Sequence, residues 1–165
     1  MSSYIQKLVS ALREELKHYG EMLALLEHQQ EAVISRVAGE IFESVHAIQK
    51  EAEAAGLARK LREQCQQEIG LHLCKKQDAS LTEIQQSLPS DYRPLVEALV
   101  KENNQLLQRV QQKAKQNHLL LSRSIELMQQ FMATLFPGRE TVTYRDTGRT
   151  QVYSLPTKSY YEAVG

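Results

Sequence analysis

The chain has no tryptophan, three phenylalanines, four prolines and two cysteines among 165 residues. With so few large aromatics, a core must be built from Leu, Ile and Val at helix–helix seams. Cys65 and Cys74 are nine residues apart, roughly 13 Å along a helix, which is too far for a disulfide. Free thiols suit a reducing compartment. Formal net charge is zero, so nothing favours nucleic acid, whose phosphates need clustered Lys and Arg. No run of about 18 apolar residues occurs, and charges fall within the first turns at the N-terminus. Neither an integral membrane segment nor a cleaved leader is expected, and the expected location is cytoplasmic.

What is present is helix-forming. Leu, Glu, Gln, Ala and Lys dominate, and these side chains lose little rotamer freedom in a helix. Residues 1–56 carry nine acids against five bases, while 57–76 carry five bases against two acids. Such an imbalance suits segments that pair with each other.

Ser3 and Gln6 are spaced as a capping box. Apolar residues then recur at three- and four-residue steps through Ile5, Leu8, Leu12, Leu16, Tyr19, Leu23 and Leu26, and onward through Val33, Val37, Ile41, Val45 and Ile48. This period predicts one helix of about 45 residues, some 70 Å long. Gly20 and Gly39 would mark a bend or a close approach of another helix, and Gly56 a boundary or hinge. A second helical stretch carries Leu57, Leu61, Cys65, Ile69, His72 and Leu73, with Lys75 and Lys76 at its end. Residues 77–79 read as a turn. Ser80 with Glu83 is another capping box, opening a short helix that stops near Leu88 and Pro89. Ser90, Asp91 and Pro94 begin a last long helix with the stripe Leu95, Leu99, Leu106, Val110, Leu121, Met128, Phe131 and Leu135, ended by Pro137–Gly138. Asn103 and Asn117 fall in this stripe at seam positions. They either set the register between helices or face a partner, and the register role is favoured.

The expected architecture is all-α. Residues 1–137 form an elongated antiparallel bundle of coiled-coil-like helices, and 138–165 an extended or hairpin tail. In that tail, alternating β-branched and aromatic residues flank Asp146-Thr-Gly148. A lone hairpin is marginal in water, so it needs a surface to lie on. The tail also holds Val142, Tyr144, Val152, Tyr153, Leu155, Tyr160 and Tyr161, and so four of the chain's seven tyrosines. Tyrosine gives large contact area at low entropy cost.

Signs of catalysis are sparse. Cys65, Glu68 and His72 share a helical face at ligand-like spacing, but no paired motif supplies a fourth ligand, and Cys65 in an apolar stripe behaves as a small hydrophobe. The three aspartates, Asp78, Asp91 and Asp146, all sit at turns. No HExxH and no Gly-rich loop after a strand is present. We therefore expect no enzyme, no cofactor and no metal.

Three blocks resemble the FlgN family of flagellar type III export chaperones. They are Leu12-Arg-Glu-Glu-Leu-Lys-His-Tyr19 with Leu23, Leu25-Leu26 and Glu31; Asn103-Asn-Gln-Leu-Leu107 followed by Asn117-His-Leu-Leu-Leu121 and Ser124; and Thr143-Tyr144-Arg-Asp-Thr-Gly148-Arg. Residues 56–90 match weakly. The resemblance implies a chaperone that binds the C-terminal helical segment of hook–filament junction proteins, prevents early assembly, and hands the cargo to the export gate without hydrolysis. On this reading Leu106, Val110, Leu121, Met128 and Met132 line a groove for an amphipathic helix, and the tail folds over it. The Met residues serve equally well as ordinary core. Two alternatives stand: a self-associating structural coiled coil, and a chaperone for another secretion substrate.

Overall fold

The computed structural model describes residues 2–135. The expected tail at 138–165, with its seven candidate contact residues, lies outside the described residues. Four helices and no strand are found among those described: α1 (Ser2–Ser35), α2 (Ala38–Leu73), α3 (Leu81–Ser87) and α4 (Arg93–Leu135).

The single long first helix is in fact two. The chain reverses at Arg36, whose φ of 57° lies in the left-handed region. The Arg36 N–H donates to Val33 O and the Val37 N–H to Ala32 O, both at 3.2 Å. This pair of bonds is a Schellman closure, which satisfies carbonyls that the helix end would leave open. Glycine usually takes the left-handed position, and here arginine does. Neither Gly39, in the first turn of α2, nor Gly56, in its interior, is the boundary; α2 runs through both. α1 also begins at Ser2, so Ser3 sits inside the helix and is not its cap.

The second reversal is tighter. Lys75 takes a φ of 55°, and the N–H groups of Cys74 and Lys76 both donate to Gly70 O. A Cβ on Gly70 would come within 2.8 Å of Lys76 O and 3.0 Å of the Ala79 Cβ, so the returning backbone needs glycine there. α3 then starts where expected. The Glu83 N–H donates to Ser80 Oγ at 3.2 Å, and the Ser80 N–H donates to Glu83 Oε2 at 2.8 Å. That second bond, the Ser80 hydroxyl and nearby Lys76 together hold the Glu83 carboxyl below its ordinary value. Arg93, the first residue of α4, clasps the other end of α3, donating to the carbonyls of Gln85, Gln86 and Leu88.

α1 packs against α2 on one side and α4 on the other, while α2 and α4 barely meet. α2 runs antiparallel to α1, and α4 parallel to it. The register of that parallel pair is set by two asparagines. Asn103 Nδ2 donates to Leu12 O at 3.0 Å, and Asn117 Nδ2 to Leu26 O at 2.7 Å, the same offset of 91 positions each time. Both side chains are buried, so their role is structural. Two apolar clusters flank the Asn103 level. One joins Ile5, Leu8 and Leu12 to Ile69, Ile84 and Val96. The other joins Tyr19, Met22 and Leu26 to Ile48, Ala55 and Val110.

Between the clusters lies a buried polar knot. Arg62 Nε donates to Glu15 Oε2 at 3.1 Å, the Tyr19 hydroxyl donates to Glu15 Oε1 at 2.9 Å, and Arg62 Nη1 donates to Gln66 Oε1 at 2.8 Å. Gln66 in turn donates to Ala79 O. Burial, with the Glu15 charge beside it, pushes the Tyr19 phenol well above its ordinary value, so it stays a donor.

Candidate partner-binding surface

α4 is 43 residues long against 34 for α1. Carrying the offset of 91 forward brings Glu126 level with Ser35, so the rest of α4 runs past the α1–α2 turn by roughly 13 Å. Asn117 is the last buried residue of α4; no side chain in 118–135 is buried.

Those same residues are the most apolar part of the helix. Residues 119–135 hold nine large apolar side chains, whereas 101–118 hold only Leu106, Leu107 and Val110. At 100° per residue, Leu121, Ile125, Met128, Met132 and Leu135, with Leu120, Leu127 and Phe131, occupy an arc of about 160°. The exposures are large: Met128 69%, Phe131 62%, Ile125 53% and Met132 50%. The only charges in the segment, Arg123 and Glu126, pair with each other at 3.2 Å. Near the α1–α2 turn, Ile34, Val37, Phe42 and Val45 are also exposed, and Phe42 makes an edge contact with His46. A soluble monomer seldom leaves a contiguous apolar patch of more than a few hundred Å² uncovered, so this surface is the candidate for a partner-binding site.

The five groove residues expected on α4 therefore separate. Val110 is 2% exposed and sealed in the second core cluster, and Leu106 packs half-buried against the same cluster. As folded, these two have little or no side chain to offer a partner. Leu121 is half-buried, and Met128 and Met132 stand open. Phe131, Ile125, Leu127 and the Ile34–Phe42 corner belong to the surface but were not among the expected contacts. One signal for them was in plain view: apolar density rises along α4 where the lengths of the other helices run out.

Other candidates yield little. Cys65, Glu68 and His72 do not converge: Glu68 pairs with Lys7 at 3.9 Å, and His72 stacks on Tyr4 with ring centroids 4.2 Å apart. Burial raises the Cys65 thiol, aided by the charge of Glu68, which makes it less reactive. The cleft between α2 and α4, about 150 Å³, is lined in part by the Glu15–Arg62 knot and is too small to seat a helix. No helix among the described residues is long and apolar enough to cross a membrane.

The family model described as FlgN protein matches residues 1–151. Comparison with curated proteins and with solved structures gives no match.

Proposed function

The chain belongs to the FlgN family and is thus a flagellar export chaperone; from that premise, we propose that the uncovered distal face of α4 shelters the C-terminal helical segment of a hook–filament junction protein in the cytoplasm. The guest leaves at the export gate. The observation that carries this reading is the wide, nearly uncharged apolar arc on 119–135, which is exposed in the described residues at every member but the half-buried Leu121. An amphipathic guest helix covers such an arc through side chains at i, i+3, i+4 and i+7. Methionines at 128 and 132 let the surface adapt to more than one guest. Because the face lacks free charge, the complex should resist salt. The tail residues Val142, Tyr144, Val152, Tyr153, Leu155, Tyr160 and Tyr161 supply further contacts to the bound guest.

The test is calorimetric titration of the full chain with a peptide from the C-terminal end of a junction protein. Fully burying a large apolar side chain contributes about 1.5–3 kcal/mol, and a half-exposed one about half of that. Replacing Phe131 by Asp also strands a charge. Phe131→Asp is therefore expected to weaken binding by about 2 kcal/mol or more, some thirtyfold, with helicity unchanged. Equal affinity in this variant moves the guest elsewhere. The competing reading, permanent self-association through the same face, predicts large oligomers by light scattering that Phe131→Asp dissolves.

A further inference from the structure

On the outer side of the α1–α2 seam, three ligand-bearing side chains meet. His18 and Glu21 stand one helical turn apart on α1, and Glu51 faces them from α2. His18 Nδ1 lies 2.6 Å from Glu51 Oε1 and 3.9 Å from Glu21 Oε2, and one ligand atom from each residue falls within 4.8 Å of the others. The periodicity of the sequence does not reveal this group, because its third member is brought in by the reversal at Arg36.

We propose that His18, Glu21 and Glu51 form a site for a borderline divalent cation, zinc above all, that ties α1 to α2. The argument is geometric first. A tetrahedral zinc ion with bonds of about 2.0–2.1 Å sets its ligand atoms roughly 3.4 Å apart. The two distances to His18 straddle that value, and closing each difference takes a shift of under about 1 Å, within reach of a glutamate side chain. One imidazole and two carboxylates make a donor set suited to zinc; magnesium and calcium favour oxygen alone. Charge agrees. Among the described residues His18 is the only ion-pair partner of Glu51, and Lys17, at 4.0 Å from Glu21 Oε1, is the only cation paired to the group. With His18 neutral, two carboxylate charges face one exposed lysine.

Accessibility agrees as well. His18 and Glu51 are mostly enclosed, with side-chain exposures of 21% and 15%, while Glu21 is about half exposed. The exposed side at Glu21 lets an ion enter, and a water from solvent would complete its shell. The short His18–Glu51 contact requires one proton between nitrogen and oxygen. The cation takes the place of that proton on Nδ1, and the neutral imidazole carries its single proton on Nε2 instead.

The full-length protein, kept reduced with a non-chelating phosphine, is titrated with zinc chloride by calorimetry near neutral pH. The expected result is one equivalent bound and a raised Tm. His18→Ala and Glu21→Gln each weaken binding about tenfold or more, whereas His72→Ala and Cys74→Ser leave it unchanged. Glu21 is exposed, so its variant keeps the fold even where His18→Ala does not. Three results overturn the site: no binding up to about 1 mM zinc, full binding retained in Glu21→Gln, or loss of binding through Cys74→Ser or His72→Ala instead.

Discussion

Replacing Arg62 by methionine keeps most of the side-chain volume and removes the one cation that, among the described residues, forms an ion pair with Glu15. Which energy scale applies is decided by exposure. Solvent-exposed pairs such as Lys7–Glu68, both side chains more than half exposed, contribute 0–1 kcal/mol or so. The Glu15 side chain is 5% exposed and that of Arg62 13%, so the loss of one partner leaves an enclosed carboxylate whose remaining hydrogen bond is the one from the Tyr19 hydroxyl. Breaking a buried pair in this way costs about 3–5 kcal/mol. That is a large share of a typical stability of roughly 5–15 kcal/mol, and equals a Tm lowered by about 10 °C at this chain length. Urea unfolding at pH 7, followed by far-UV circular dichroism, measures it. The double variant Glu15→Gln/Arg62→Met removes the stranded charge and should recover most of the loss, while Glu68→Gln should stay within about 0.5 kcal/mol of the parent. A loss of less than about 1 kcal/mol for Arg62→Met, or a double variant no more stable than the single one, refutes the view that this knot is a buried and mutually dependent ion pair.

Further outcomes follow from the turns. Arg36→Gly relieves a left-handed residue at a cost of about 1–2 kcal/mol, less the extra chain entropy of glycine, so a gain of about 0.5–1 kcal/mol in urea is expected. Gly56→Ala should stabilise by about 1 kcal/mol, because the new methyl meets nothing within 4 Å in mid-helix. Gly70→Ala should destabilise, since its methyl would run into Lys76 O. Ser80→Ala removes the α3 cap and should cost about 1 kcal/mol, read in the same assay. The depressed Glu83 carboxyl contributes stability that is present above its unfolded-state value, and this contribution is lost as pH falls through the lower folded value. In Glu83→Gln that acid-side dependence should be absent from an unfolding series run from neutral to acid pH.

Much of this architecture is legible in the residue pattern, and the failures have identifiable causes. The long helices follow from their three- and four-residue steps, and α3 from Ser80, Glu83 and Pro89. The break at Arg36 is hidden because the chain stops α1 with an arginine in a conformation that glycine normally takes, while Gly39 and Gly56 advertise breaks that do not occur. The surface on α4 is partly hidden for a different reason. Val110 and Met128 obey the same helical period, and periodicity cannot say that one is sealed against α1 while the other stands beyond its reach. That distinction depends on the unequal lengths of α1 and α4, hence on the turn that was missed. His18 and Glu51 escape notice for the same cause, since only the reversal brings them face to face.

The Asn117–Leu26 bond is the last buried contact along α4 before its distal part, which gives it a mechanical meaning. The distal part of α4 is a cantilever, and that bond is its root. Sliding the beam by one helical turn would detach both asparagine amides from their carbonyls at once, so an axial tug at the free end is met by two joints some 21 Å apart acting together. A sideways load has no such resistance, because α2 gives almost no bracing. The lever is stiff along its length and compliant across it.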